Sequence, residues 1–339
     1  MTSRERIQAA LDYRPVDIVP LRICPAAAGF HEHGQPLLDL IQACGHDFGD
    51  VRDFRLPAPP PPEHYDADGR FHAIVTDDWG TTWEYRIFGI WGHPLRRPLD
   101  DWANLAAWRP PTPPEVSGPI DAAPSEWFRI GDGGMLFERL RALRRFEDVL
   151  MDLALETPEL GELADRVNAH NQALAAWSLA HGADAVAFGD DLGTASAPMI
   201  SLSCFRRFFA PRYRELFGPI KAAGRRLFFH SCGQVMPLLA DLRALGVDAI
   251  WPQLPLYDLP ELARRVRDLG LSIELHPDRG ELLQRPQPPG TVRDYLLRLV
   301  ETFDVLGGGS WLYLEVDPGF LWDNVVEMFE TAAELRRGG

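Results

Sequence analysis

The stretch Leu227-Phe-Phe-His-Ser-Cys-Gly233 decides how this chain is interpreted. A short apolar run, typical of a buried strand, ends in a histidine and a cysteine two residues apart, and a glycine follows. Because side chains of an extended segment alternate between two faces, His230 and Cys232 lie on the same face. An imidazole and a thiolate on one face can bind one metal ion, so the stretch predicts a strand that ends in metal ligands.

A second stretch, Ala185-Val-Ala-Phe-Gly-Asp-Asp-Leu-Gly193, has the same design. Its apolar run leads into two carboxylates, Asp190 and Asp191, and then into a glycine. The carboxyl ends of parallel strands meet at one edge of a sheet, so we expect both stretches to deliver polar groups to the same rim.

Extended and helical patterns alternate regularly from Glu126 onward. With a first strand at 18–24 and one more in the alternating region 71–87, the count of strands reaches eight. The remaining strands are expected at 127–131, 184–189, 227–230, 247–252, 271–275 and 311–316. This alternation predicts an α/β fold with parallel strands, best interpreted as a closed (β/α)8 TIM barrel. A doubly wound open sheet is the alternative, although no Gly-x-Gly-x-x-Gly and no Walker loop supports a nucleotide-binding fold.

We expect one domain over residues 1–339. The segment 46–124 contains a proline run at 58–62, the alternating region and a proline-dense span at 109–124. It is interpreted as a Pro-rich, partly β elaboration between the first strands of the barrel. A capping box formed by Thr2 and Glu5 predicts that the chain begins with a helix.

The amino-acid composition disfavours several classes of partner, location and reaction. The chain has 34 basic and 49 acidic residues, a formal net charge of −15, which disfavours a nucleic-acid partner. No apolar run approaches the ~18 residues of a membrane span, and the polar start is unlike a signal peptide. Four sparse cysteines fit reduced thiols in the cytoplasm. Lys221 is the sole lysine and falls in a helical pattern, so catalysis through a Schiff base is not expected.

Polar residues cluster where the predicted strands end, which is where barrel enzymes carry their active sites. We predict Asp78, Asp190 and Asp191 as catalytic carboxylates, and Arg22, Trp79, Gln253 and His276 as substrate-binding residues. His230 and Cys232 are the predicted metal ligands. Glu315 is the preferred third ligand, with Cys24 and either of Asp190 and Asp191 as alternatives. Structural roles stay open: Arg22 could neutralise a carboxylate instead of holding an anionic substrate, and Trp79 could simply pack.

Several motifs in order resemble the uroporphyrinogen decarboxylase-like superfamily. They are Arg14-Pro-Val-Asp-Ile-Val-Pro20, Asp77-Asp-Trp-Gly-Thr-Thr-Trp83, Gly189-Asp-Asp-Leu-Gly193, His230-Ser-Cys-Gly233, Gly246-Val-Asp248 and Asp323-Asn-Val325. The resemblance extends over nearly the whole chain and implies a (β/α)8 barrel. The superfamily includes uroporphyrinogen decarboxylases and zinc methyltransferases that serve cobalamin-dependent systems.

The chain differs at one motif from the uroporphyrinogen decarboxylases and at another from the zinc methyltransferases. Uroporphyrinogen decarboxylases carry an Arg-Gln-Ala-Gly-Arg loop after the first strand, whereas this chain has Arg22-Ile-Cys-Pro-Ala-Ala-Ala-Gly29 with one arginine. The His-x-Cys pair is similar to that of methylcobalamin:coenzyme M methyltransferases, whose third zinc ligand is a cysteine on the last strand. Leu314 or Glu315 occupies that position here.

The leading expectation is therefore a zinc-dependent methyltransferase that moves a methyl group between a small substrate and a corrinoid protein. A decarboxylase without a cofactor, in which a rim carboxylate stabilises a cationic intermediate and Arg22 holds a carboxylate, is the alternative. A non-catalytic barrel that binds a small molecule is a third hypothesis. The oligomeric state is left open by the sequence.

Overall fold

A computed structural model describes residues 1–115 and 125–337. The strands are β1 (Leu21–Ile23), β2 (Ala73–Thr76), β3 (Thr82–Tyr85), β4 (His93–Arg96), β5 (Ile130–Asp132), β6 (Ala185–Gly189), β7 (Arg226–Ser231), β8 (Ala249–Pro252), β9 (Ser272–Leu275) and β10 (Ser310–Leu314). The helices are α1 (Ser3–Leu11), α2 (Ala27–Cys44), α3 (Phe137–Leu143), α4 (Phe146–Leu155), α5 (Pro158–Ala180), α6 (Leu202–Cys204), α7 (Ala210–Ala222), α8 (Leu239–Ala244), α9 (Leu259–Leu269), α10 (Thr291–Thr302) and α11 (Trp322–Arg336).

Seven strands form one parallel sheet in the order β1-β10-β9-β8-β7-β6-β5. Helices follow most of these strands, and their apolar faces pack on the outside of the sheet in one large buried core. The predicted α/β class and the parallel strand order are confirmed. Within the described part of the chain, however, the sheet has seven strands and not the eight that we expected.

The two edge strands of this sheet are joined by a single buried carboxylate residue. The backbone N–H of Asp47 donates to the Leu21 carbonyl at 2.8 Å, and the Asp47 carbonyl accepts from the Phe128 N–H at 3.1 Å. The Asp47 carboxylate also accepts from Arg6 of α1 at 2.5 Å and from Arg336 of α11 at 2.6 Å. One residue therefore ties β1, the approach to β5, and the first and last helices together.

The region 71–87 does not supply a barrel strand. β2, β3 and β4 instead form a separate three-stranded antiparallel sheet. The physical reason lies in the pattern itself: strict alternation suits an antiparallel sheet with one solvated face, whereas barrel strands are buried on both faces and are apolar throughout. Leu227–Phe229 of β7 has that second pattern, with all three side chains buried.

Helix α1 fills the end of the curled sheet opposite the motif loops. Ile7 and Ala10 are buried against Phe128, Phe228 and Trp311. The rings of Phe128 and Phe228 stack at 5.9 Å, and those of Phe228 and Trp311 at 5.4 Å. The predicted capping box is present, with the Glu5 N–H donating to the Thr2 hydroxyl. The interior is thus a packed core with its polar groups near the other end.

Two further features concern a helix start and a loop. Thr157 lies at the start of α5, but its hydroxyl donates to Asp152 at 2.9 Å and makes no cap bond to the helix. Part of the proline-dense span at 109–124, residues 116–124, lies outside the described residues. Among the residues that are described, no helix combines the length and apolar character needed to cross a membrane.

Candidate metal centre

Two loops, one after β6 and one near the end of β7, are locked together by hydrogen bonds. The Asp190 N–H donates to the His230 carbonyl at 3.0 Å, and the Gly193 N–H to the Cys232 carbonyl at 3.2 Å. Between these bonds, the Leu192 N–H donates to the buried Ser231 hydroxyl at 3.0 Å. The two motifs found in the sequence therefore form one rigid unit at the carboxyl ends of neighbouring strands.

Glycine is required where the two loops cross. Gly233 has a φ of +80°, and a Cβ added there would lie 2.1 Å from the backbone carbon and oxygen of Gly193. A Cβ on Gly193 would lie 2.6 Å from the Gly233 carbonyl carbon. Neither contact involves a flexible side chain, so only glycine permits this approach at both positions.

Three possible metal ligands converge on this unit: Asp191, His230 and Cys232. The Cys232 Sγ lies 3.3 Å from the His230 Nε2, and that nitrogen lies 3.3 Å from the Asp191 Oδ1. A ligand atom from each residue lies within 4.8 Å of the other two. All three side chains are half-buried, so the group is reached from the strand ends.

The ring orientation of His230 is fixed by its other nitrogen. The Nδ1 lies 2.9 Å from the backbone carbonyl of Trp251 and donates its proton to that oxygen, which leaves the Nε2 facing Cys232 and Asp191. The ring of Trp251 packs against the imidazole with centroids 4.1 Å apart. A histidine that donates one N–H to a carbonyl while presenting the other nitrogen is the usual arrangement of a metal ligand.

The electrostatics of the group favour a cation at the Nε2. Burial opposes the charged form of His230, but hydrogen bonds to Asp191 and Cys232 raise the pKa of the imidazole to about 10. Burial likewise opposes ionisation of Asp191, yet His230 and the Cys232 N–H lower the pKa of that carboxyl to about 2. A positive charge, either a proton or a metal ion, therefore stabilises this cluster.

Asp190, which we predicted as a catalytic residue, points away from the group. Its carboxylate is buried and accepts hydrogen bonds from the Leu136 N–H at 3.1 Å, the Glu138 N–H at 2.9 Å and the Tyr213 hydroxyl. Burial is the main cause that raises its pKa to about 6. The structure thus places Asp190 as a cap on the start of α3.

Glu315, the preferred third ligand from the sequence, is not part of the converging group. It lies just past β10, where it accepts from Arg279 at 3.2 Å, and Arg279 also contacts Asp317 at 3.4 Å. Burial raises the pKa of Glu315 to about 7 against the opposing charge of Arg279. Cys24, another alternative, is exposed beyond the end of β1 and is likewise outside the group.

Arg22 is engaged by a carboxylate inside the sheet. Its Nη1 donates to both oxygens of Glu274, at 2.9 and 3.1 Å, and its guanidinium lies 5.1 Å from the ring centroid of Tyr313. Burial disfavours the charge of Arg22, but Glu274 raises its pKa above the ordinary value. A cavity of about 100 Å³ is lined by Arg22, Glu274, Trp251 and His230.

The other predicted substrate-binding residues at the rim contact the backbone. The Gln253 Oε1 accepts from the Gly233 N–H at 3.2 Å, so this side chain supports the loop that carries Cys232. His276 is buried. Its Nε2 lies 2.8 Å from the Pro252 carbonyl oxygen, and its Nδ1 lies 2.9 Å from the Pro277 carbonyl oxygen. Burial lowers its pKa. These contacts hold the loops in place around the group.

Asp78 and Trp79 lie in the turn between β2 and β3. Asp78 is exposed there. The ring of Trp79 packs between Trp108, at a centroid distance of 6.1 Å, and His170, at 4.7 Å, with the Arg139 guanidinium 4.3 Å from its centroid. Trp79 therefore anchors the small sheet to the helical layer, and the structure does not bring either residue into the converging group.

Three residues near the group were missed by sequence reasoning. Trp251 fixes His230, Arg279 pairs with the rim carboxylates, and Glu138 lies at the start of α3 beside the Asp191 backbone. Burial raises the pKa of Glu138 to about 7, and Arg141 opposes that shift. Glu138 lies in the first turn of α3, but nothing in the local sequence shows that this helix starts at the motif loops.

Comparisons with known proteins found a related family model and a similar fold. Residues 139–266 match the family model described as Uroporphyrinogen decarboxylase (URO-D), and this stretch contains both motif loops. A methyltransferase from Methanosarcina mazei has a similar fold, with a TM-score of 0.61 and 15% identity over 98% of this chain and 99% of that chain. The family match and the shared fold confirm the resemblance to the uroporphyrinogen decarboxylase-like superfamily.

A weaker similarity links the chain to a dihydropteroate synthase from Xanthomonas albilineans solved with 4-aminobenzoic acid. Its TM-score is 0.37 at 17% identity, over 59% of this chain and 65% of that chain. No curated protein matches the sequence.

Proposed function

We propose that this protein is a zinc-dependent methyltransferase that moves a methyl group between a small substrate and a corrinoid protein. The observation that carries the proposal is the convergence of Asp191, His230 and Cys232 at the carboxyl ends of β6 and β7. The fold shared with the Methanosarcina mazei methyltransferase supports it. In this proposal the third ligand is Asp191, one of the alternatives from the sequence analysis, in place of the preferred Glu315.

The donor set fits zinc. Zn²⁺ binds imidazole nitrogen, thiolate sulfur and carboxylate oxygen at bond lengths of about 2.0–2.3 Å, so tetrahedral ligand atoms lie roughly 3.4–3.6 Å apart. The separations of the His230 Nε2 from the Cys232 Sγ and from the Asp191 Oδ1, both 3.3 Å, are close to that spacing. Three protein ligands with a fourth position left for substrate is the pattern of catalytic zinc sites. A zinc ion bound there would lower the pKa of a coordinated thiol and so supply a thiolate at neutral pH.

The chain's own residues provide orientation and charge. Trp251 holds the His230 ring through its carbonyl, and the Cys232 N–H holds the Asp191 carboxylate at 2.9 Å. The fixed positions keep the ligand atoms together without a rearrangement. Arg279 is partly exposed, contacts both Glu315 and Asp317, and partly neutralises these two carboxylates.

The reaction balances with a thiol as the acceptor. The corrinoid partner would supply the methyl group as a methyl–cobalt bond: the methyl group would pass to the thiolate sulfur, the electron pair of the broken bond would stay with the corrinoid, and the thiol proton would be released to solvent. The partner is inferred from the superfamily resemblance. We place the enzyme in the cytoplasm, where the four unpaired cysteines, Cys232 among them, stay reduced.

The test is transfer of the methyl group from free methylcobalamin to a small thiol, followed by the change in cobalamin absorbance. We expect activity with zinc-loaded protein, and its loss after metal removal by a chelator with recovery on adding zinc. Cys232→Ser should lower the rate by two orders of magnitude or more, while Cys204→Ser, at a buried thiol in the helical layer, should not. Activity that survives chelation would favour the decarboxylase or another metal-free reaction and refute the proposal.

A further inference from the structure

The backbone of residues 232–235, the turn that begins at Cys232, is held by partners outside the turn. Its four N–H groups, in chain order, donate to the Asp191 carboxylate at 2.9 Å, the Gln253 Oε1 at 3.2 Å, the Thr194 carbonyl at 2.7 Å and the Tyr257 hydroxyl at 2.8 Å. Two of these partners lie in the loop after β6, and two lie in the loop between β8 and α9. None of the four bonds lies within the turn, so the shape of the turn depends on these two loops.

Tyr257 holds the turn through two hydrogen bonds of one hydroxyl group. The hydroxyl accepts from the Val235 N–H at 2.8 Å and donates to the Gly233 carbonyl at 2.7 Å. Gly233, Val235 and Tyr257 are all buried. Burial raises the pKa of Tyr257 to about 12, so the hydroxyl keeps the proton that it donates at neutral pH. The Tyr257 hydroxyl therefore closes the turn immediately after the Cys232 thiol.

We propose that Tyr257 is a positioning residue, which closes this turn, holds the Cys232 thiol beside His230 and thereby increases the metal affinity of the site. The inference rests on the proposed function only in taking the three converging residues as metal ligands. Tyr257→Phe would leave the Val235 N–H and the Gly233 carbonyl without a partner in a buried position, which is costly. The turn would open to hydrate these groups, and the Cys232 Sγ would leave its position 3.3 Å from the His230 Nε2.

Tyr13 provides a matched control at the other end of the sheet. It follows α1, and its hydroxyl donates to the Leu271 carbonyl at 2.8 Å and lies 3.2 Å from the Val266 carbonyl. Leu271 directly precedes β9, so these contacts lie at the end of the sheet opposite the motif loops. Tyr13→Phe thus also removes a hydroxyl that is bonded to the backbone, but away from the candidate metal centre. Each phenylalanine variant should lower the melting temperature of the metal-free protein by roughly 2–6 °C.

The experiment measures zinc affinity by competition with a chromophoric chelator for the full-length wild type, Tyr257→Phe and Tyr13→Phe. Loss of a group that supports a metal ligand typically weakens binding about 10–100-fold, and we expect about tenfold for Tyr257→Phe and less than about twofold for Tyr13→Phe. The ligand-field absorption of bound Co²⁺, which reports the geometry around the ion, should change in Tyr257→Phe alone. Wild-type affinity and spectrum in Tyr257→Phe, or equal losses in both variants, would overturn the inference even if both variants melt lower.

A measurement on the metal-free protein separates the inference from the proposed function. Alkylation of Cys232 by iodoacetamide, followed by peptide mass spectrometry, reports how firmly the turn holds the thiol, and the exposed Cys24 is the reference in the same sample. Relative to Cys24, we expect Cys232 to react about threefold faster or more in Tyr257→Phe and at the wild-type rate in Tyr13→Phe. Wild-type protein that binds no zinc would refute the proposed function. An unchanged ratio of the two rates in Tyr257→Phe would instead refute the positioning of Cys232.

Discussion

The crossing of the two motif loops yields the sharpest prediction about the link between fold and site. Replacing Gly233 by alanine places a Cβ 2.1 Å from the Gly193 backbone, whereas ordinary contact begins at 3.4 Å. The loops must therefore separate by about 1.3 Å. The left-handed backbone costs about 1–2 kcal/mol and the overpacking about 1–3 kcal/mol more. We expect Gly233→Ala to lower the free energy of unfolding by roughly 2–5 kcal/mol.

A matched control isolates the steric part of that loss. Gly224 has a similar φ of +70° but no atom within 4 Å of an added Cβ, so Gly224→Ala meets only the backbone strain. Denaturant titration of both metal-free variants gives the difference, which we expect to be about 1–3 kcal/mol. Zinc competition should show weaker binding in Gly233→Ala alone, because a 1.3 Å shift far exceeds the tolerance of a metal site. Equal stability losses in the two variants would refute the reasoning.

Two other predictions concern stability. Asp47→Ala leaves the partly buried guanidinium groups of Arg6 and Arg336 without their shared carboxylate, so thermal or chemical unfolding should show a loss of about 3–5 kcal/mol. Burial lowers the pKa of His46 to about 4, with Asp47 opposing the shift. In the unfolded chain His46 takes up a proton near pH 6.5, whereas in the folded chain it does so only near pH 4. The contribution of neutral His46 to the free energy of unfolding is therefore fully present above pH 6.5, and that free energy should fall by about 3 kcal/mol as the pH drops to 4. His46→Asn should flatten this dependence, and an unchanged slope would contradict it.

Much of the barrel-like sheet is predictable because its strands are short apolar runs separated by amphipathic helices. β6, β7 and β9 lie within a residue or two of their expected positions. The junction between the sheet edges is not predictable in this way. It depends on Asp47, a lone polar residue in an irregular segment, whose role comes from partners 41 and 289 residues away in the sequence.

The candidate site shows the same limit. Alternation along β7 predicts that His230 and Cys232 share a face, because the pattern is local. Asp190 and Asp191 are adjacent, and which of them faces the site depends on α3, whose first N–H groups capture Asp190. Glu315 has the expected place past β10, but Arg279 from another loop engages it. Contacts between distant segments thus decide which carboxylate faces His230 and Cys232.

In the proposed zinc site, Asp191 and not Glu315 is the third ligand beside His230 and Cys232. The most direct measurement is the zinc stoichiometry and affinity of wild type beside Asp191→Asn and Glu315→Gln. We expect one zinc per chain in the wild type, a large loss of affinity in Asp191→Asn and nearly unchanged affinity in Glu315→Gln. Loss of zinc in Glu315→Gln with retention in Asp191→Asn, or wild-type protein that binds no metal, would contradict it.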